Sequence, residues 1–383
     1  MTRTHLLVTN DFPPKVGGIQ NYLWELWRRL PDGATSVYTT PYAGTAAFDA
    51  RQPFPIERSP EPWLIPYPWL PSRVSAMAER VGAELVLFDP ALPVGAIGPH
   101  IGLPYGVILH GAEVTIPGRV PGLRSLMART LRQASLVVSA GAYALAEAER
   151  CAGRTLPSVV IPPGVDSDRF VPADAGTRAA TRARFGVPED GLLLATVSRL
   201  VPRKGMETLI RAGAVAADRL RGSGTPFKIV IGGTGRQATA LQELVDRLGA
   251  PVELPGRLSD QAVVDLYGSA DLMAMLCNAR WGGLEQEGFG IVFLEAAAAG
   301  IPQIAGRSGG AHEAVADGQT GLVIDDPTDV DAAASAIVSL LEDPVRRKAM
   351  GERARERATE EFDYDTLAER LQTAIDRCRL VKR

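Results

Sequence analysis

The chain has 383 residues, 46% of them hydrophobic and 22% charged, and a formal charge of −3. That length exceeds one core and calls for two or more domains, while the slight acidity excludes a chain-wide nucleic-acid surface, so no nucleic-acid partner is expected. Cys151, Cys277 and Cys378 lie far apart, and His5, His100, His110 and His312 form no close pair, which excludes a disulfide framework and a metal site and fits a reducing cytoplasm.

In chain order, short apolar runs alternate with helical stretches. The first set of predicted strands is "HLLVT" (5–9), "SVYTT" (36–40), "ELVLF" (84–88), "YGVILH" (105–110), "SLVVS" (135–139) and "SVVI" (158–161). Between the first two, "IQNYLWELWRRL" (19–30) puts Tyr22, Leu23, Leu26, Trp27 and Leu30 on one helical face. The stretch "PPGVDSDRFVP" (162–172) has the composition of a boundary. A second set follows: "LLLATVS" (192–198), "FKIVIGG" (227–233), "VELPG" (252–256), "DLMAML" (271–276), "PQIAG" (302–306) and "GLVID" (321–325). This alternation predicts an α/β chain with two parallel-sheet, Rossmann-like domains, 1–165 and 166–362, facing a cleft. A terminal helix within 363–383 is expected to pack back on the first domain.

The polar loops fall at one place in this pattern. "NDFPPKVGG", "HGAE", "RLVPRKG", "GGTGR", "PGRL", "NARWGGLEQEGFG" and "RSGGAHE" each follow a predicted strand. In open parallel sheets ligands bind beyond the carboxyl ends of the strands, so these loops describe one shared site. Gly288, Phe289, Gly290 and Ile291 open the helix "IVFLEAAAAG" with free amides suited to a phosphate. Glu287 and Glu295 then need hydroxyls. Eight helical residues separate them by ~12 Å, too far for paired glycosidase carboxylates, so they are expected to hold different parts of one ligand. Arg199 and Lys204 supply charge for a diphosphate, and Gly17 and Gly18 open a second helix in the same way. His110, ending a strand, is placed to donate or accept at a sugar hydroxyl. "GGTGR" completes no dinucleotide fingerprint, and no P-loop is present.

With "GGIQNY", "HGAE", "PPGVDSDRF", "SRLVPRKG", "GGTG" and the long run from "EQEGFG" to "TGLVID", the chain resembles the retaining GT-B glycosyltransferases that use nucleotide sugars. It is most similar to the actinobacterial phosphatidylinositol mannoside mannosyltransferases of the PimB type. Ala112 and the loop "NARWGGLEQEG" depart from that type. The resemblance implies GDP-mannose as donor, retention at the anomeric carbon, a phosphatidylinositol mannoside-type lipid acceptor and no metal. It implies that Gly18 and Gly233 line the donor site, that Arg199 and Lys204 neutralise the diphosphate, and that Glu287 contacts the sugar. It further places Glu295 at the ribose, the backbone of Arg257 and Leu258 at the base, His110 by the sugar and Asp11 at the acceptor hydroxyls. A UDP-sugar donor, a soluble acceptor, a sugar-nucleotide epimerase on the same fold and a silent nucleotide-sugar binder remain as alternatives.

Two further stretches bear on the acceptor. "EPWLIPYPWLPSRVSAMAER" (61–80) is rich in aromatics, and "GRVPGLRSLMARTLRQ" (118–133) carries arginines without an acid. Together they suit an anionic bilayer surface, so peripheral contact with the inner face of the plasma membrane is expected.

Overall fold

Alternate residues of each central strand of the first sheet face different cores. Leu6, Val8, Val86, Phe88, Val107, Leu109 and Val137 pack into one cluster, and Leu7, Leu85, Leu87, Ile108, Leu136 and Val138 into another. That is the period of two read on both faces of a covered parallel sheet. The strands are β1 (His5–Thr9), β2 (Thr35–Thr39), β3 (Ile56–Arg58), β4 (Leu85–Asp89), β5 (Tyr105–Leu109), β6 (Leu136–Ser139) and β7 (Ser158–Val160), all parallel, in the order β3-β2-β1-β4-β5-β6-β7. The edge strand β3 has no counterpart in the predicted set. It is three half-buried residues long, too short to carry a periodic signal.

The computed structural model describes residues 2–280 and 287–379. Residues 281–286, which include Glu285 and much of the departing loop "NARWGGLEQEG", lie outside the described residues. The chain forms two units, Met1–Gly164 with Tyr364–Arg383, and Val165–Asp363. The helix Tyr364–Arg377 lays Tyr364, Leu367, Leu371 and Ile375 in the same cluster as Tyr22, Leu23, Leu26 and Trp27 of the helix Gly18–Trp27.

The second unit repeats the plan with β8 (Leu192–Val197), β9 (Phe227–Gly232), β10 (Val252–Glu253), β11 (Leu272–Met275), β12 (Gln303–Gly306) and β13 (Gly321–Ile324). Their order is β10-β9-β8-β11-β12-β13, again all parallel. In each sheet the winding direction reverses once, between β1 and β4 and between β8 and β11. The loops leaving the two strands at a reversal diverge and open a crevice at their carboxyl ends.

Candidate active site

In the second unit the crevice is built by the loops after β8 and β11. The loop after β8 lies directly on the end of β11, because Gly205 has φ 67° and a side chain there would stand 1.8 Å from the Leu276 carbonyl oxygen. Only glycine accepts both the left-handed backbone and the contact. Asn278 N–H donates to the Arg203 carbonyl at 2.9 Å and ties the two loops together. Lys204 is thereby buried, with Nζ 2.8 Å from Glu287 Oε2, and Arg203 Nε stands 3.4 Å from the same oxygen. Burial alone would raise the pKa of Glu287, but the charges of Lys204 and Arg203 outweigh it and hold the carboxylate below its ordinary range. Cys277 lies beside this group with its thiol pushed up to about 12 by burial, so it stays protonated and is no nucleophile.

Arg199 differs from the sequence expectation that pairs it with Lys204. It is exposed, with no ion pair among the described residues, and the neighbour of Lys204 at Glu287 is Arg203. Gly288 is exposed and Phe289 is buried with its ring 5.7 Å from that of Phe362. Gly290, at φ 88°, starts the helix Ile291–Ala298, whose N-terminus has no side-chain cap. Glu295 sits on this helix, half-buried, its carboxyl making no hydrogen bond or ion pair among the described residues. Burial lifts its carboxyl to about 7 against the pull of Arg169. After β9, Gly233 N–H donates to the Gly256 carbonyl at 2.7 Å. Beyond Gly256, Arg257 is exposed and Leu258 is half-buried against Gly232.

In the first unit the reversal point carries a different charge pair. Asp89, 1% exposed at the end of β4, accepts from Thr9 Oγ1 at 2.7 Å, and its other oxygen lies 2.5 Å from His110 Nε2. Burial opposes a charge on His110, but the carboxylates of Asp89, Glu113 and Asp11 outweigh it and raise the imidazole to about 8. His110 is therefore an imidazolium at neutral pH, with its ring perpendicular to that of Tyr22 and the two ring centres 5.5 Å apart. Glu113 accepts from the backbone N–H groups of His110 and Gly111, which fixes the loop after β5. Asp11 accepts from Lys15 Nζ at 2.7 Å and from Gln20 Nε2 at 2.5 Å, so its carboxylate is held by its own loop and the first turn of the helix that follows. Gly17 and Gly18 are exposed at the start of the helix Gly18–Trp27, which likewise has no side-chain cap.

The structure thus groups Lys204 with Glu287 in one unit and His110 with the Asp11 loop in the other. Sequence reasoning missed Asp89, Arg203 and Glu113. Asp89 ends an apolar strand next to a reversal point, and Arg203 stands beside Lys204 in the same "RLVPRKG", which are the signals that point to them. Among the described residues no group of three or more His, Cys, Asp or Glu is arranged to hold a metal ion.

Residues 177–357 match the family described as glycosyl transferases group 1. The chain is 38% identical over 376 residues, 96% of each chain, to the GDP-mannose-dependent alpha-(1-6)-phosphatidylinositol monomannoside mannosyltransferase of Mycolicibacterium smegmatis. It is 34% identical over 377 residues, 97% of each chain, to the GDP-mannose-dependent monoacylated alpha-(1-6)-phosphatidylinositol monomannoside mannosyltransferase of Corynebacterium glutamicum. Among solved structures, Anabaena HepE in complex with UDP and glucose superposes with a TM-score of 0.78 at 22% identity, covering 98% of this chain and 100% of that one.

Proposed function

Because this chain belongs to the group 1 glycosyltransferases of GT-B fold, we propose that it moves mannose from GDP-mannose to a phosphatidylinositol mannoside-type lipid acceptor. The observation that carries this reading is the end-to-end similarity, 34–38% identity over 96–97% of the chain, to mannosyltransferases of that donor and acceptor. The geometry supplies a chemistry that fits it. The diphosphate meets Lys204, Arg203 and the uncapped helix end at Gly290–Ile291, with Arg199 free to join from solvent. Glu287 accepts from mannose hydroxyls and Glu295 from the ribose diol. The backbone of Arg257 and Leu258 borders the base. In the first unit the amides at Gly17 and Gly18 offer further donors to phosphate, the His110 imidazolium donates to a sugar oxygen, and Asp11 faces the acceptor.

GDP-mannose carries an α-linked sugar and the relatives form an alpha-(1-6) product, which supports transfer with retention. The bond from the anomeric carbon to phosphate breaks, and a bond to the acceptor oxygen forms on the same face. The departing phosphate takes the acceptor proton, and GDP leaves. Catalysis then rests on positioning and on stabilising the charge that grows on the phosphate. These cations and amides balance that charge in place of a divalent metal, so transfer should persist in chelator.

Exposed apolar side chains support a lipid acceptor. Trp63 (58% exposed), Trp69 (50%) and Ile65 follow β3, and Ile116, Val120, Leu123 and Leu126 follow β5. Both groups leave the carboxyl edge of the first sheet, the edge that bears His110, and Arg119, Arg124 and Arg129 lie beside the second. Among the described residues no helix is long and apolar enough to cross a membrane. Peripheral contact with the inner membrane face follows as part of the reading.

Transfer assays with a panel of GDP- and UDP-sugars, with and without a phosphatidylinositol mannoside acceptor, test the proposal. Mannosylated lipid from GDP-mannose alone is expected. A UDP-sugar preference, epimerised donor, or binding with no turnover would each overturn it.

A further inference from the structure

At the amino ends of β6 and β7, the edge of the first sheet opposite His110, lies a cavity of about 690 Å³. Four arginines line it: Arg132 and Arg154 from the chain flanking those strands, and Arg377 and Arg379 from the end of the terminal helix. No acid lines it, and none of the four arginines has an ion pair among the described residues. This clustering occurs in a chain whose formal charge is −3.

Helix dipoles explain part of the cluster. Arg132 and Arg377 each sit in the last turn of a helix, where a cation is favoured. Arg154 caps the same helix end as Arg132, and Arg379 has no such reason to be there. Two of the guanidinium groups are also held in place: Arg132 Nε donates to the Ala152 carbonyl at 2.6 Å, and Arg154 donates to the Arg132 carbonyl at 2.6 Å. Each keeps further N–H donors for a ligand. Ser135 and Ser158 add small polar groups to the lining. Planar, fixed forks without carboxylate partners match phosphate oxygens, which accept in the same geometry.

We propose that this arginine-lined cavity is a binding site for a phosphate-bearing ligand, separate from the transfer site, that ties the terminal helix to the edge of the first sheet. The ligand comes either from solution or as the headgroup of an anionic lipid, and the chemistry of recognition is the same for both. The inference does not depend on the donor or acceptor proposed above.

The test titrates inorganic pyrophosphate calorimetrically, with GDP kept in excess to occupy the transfer site, into the full chain and into the double variant Arg132→Ser/Arg377→Ser, alongside flotation with phosphatidylinositol–phosphatidylcholine vesicles. The variant's fold is checked by circular dichroism, and Arg154→Ser/Arg379→Ser serves as a second variant should the first fail to fold. The expected result is one pyrophosphate equivalent in the wild type that the variant binds more than tenfold more weakly, with a steep salt dependence. Loss of vesicle binding in the variant without any pyrophosphate equivalent would assign the lipid source. Pyrophosphate and vesicle binding both unchanged by the substitutions, or both absent from the wild type, would overturn the proposal.

Discussion

Each unit places a charge pair at the reversal point of its sheet, but the two pairs are built for different work. In the first unit a carboxylate, Asp89, serves a single histidine and is sealed by Thr9. The pair is locally neutral once His110 is protonated, and what it controls is the state of one proton. In the second unit two cations, Lys204 and Arg203, converge on Glu287. That cluster is the proposed seat of the donor diphosphate. The same topology thus yields a carboxylate that holds a proton on a histidine in one sheet and a carboxylate that fixes a lysine ammonium in the other.

The sharpest way to break this contrast is Lys204→Ala. Losing one preorganised cation at the phosphate should lower turnover by a factor of hundreds or more, ~3 kcal/mol, measured as mannose transfer at saturating donor. Near-normal turnover would remove Lys204 from the mechanism.

Asp89→Asn tests the other half. The folded imidazole titrates at about 8, above its ordinary 6.5. Its stabilising contribution, about 2 kcal/mol, is therefore complete below pH 6.5 and lost as the pH rises through 8. Urea unfolding at pH 6 and pH 9 should reveal that loss in the wild type and not in the variant. An unchanged pH dependence in Asp89→Asn would break the pair's assigned role.

Glu295→Gln sharpens the donor side. With its carboxyl raised to about 7, Glu295 is only partly ionised near neutral pH, and ribose hydroxyls that donate to it favour the charged form. GDP binding should release protons near pH 7, read as a dependence of the calorimetric heat on buffer. The variant should lose that release and bind GDP roughly tenfold more weakly, from a hydrogen bond to a charged group worth ~1.5 kcal/mol. The smallest effect is expected for Arg203→Ala, whose contact at 3.4 Å is the longer of the two at Glu287. A loss of only a few fold in transfer is the expected outcome, and a loss as large as that of Lys204→Ala would make the two cations equivalent.

The strand pattern was legible because buried parallel strands write themselves as short apolar runs, and the chain order of those runs places every site loop on one edge. β3 escaped because Ile56–Arg58 is a half-buried edge of three residues. At the site, the glycine corner at 288–290, Lys204, Glu287 and His110 could be singled out from residue type and position after a strand. The partners could not. Asp89 meets His110 across 21 residues and Arg203 meets Glu287 across 84, so each contact exists only once the sheet has ordered its strands. Which arginine of "SRLVPRKG" turns inward was equally invisible, since Gly205 and Leu276, far apart in sequence, decide how that loop lies.

The proposed seat of the donor diphosphate is the reversal point of the second sheet, and a crystal structure of the chain with GDP bound is the decisive measurement. Phosphate oxygens are expected within ~3 Å of Lys204 Nζ and of the amides that open the helix at Gly290 and Ile291. Nucleotide bound elsewhere, with Lys204 still closed on Glu287 and no phosphate beside it, would contradict it.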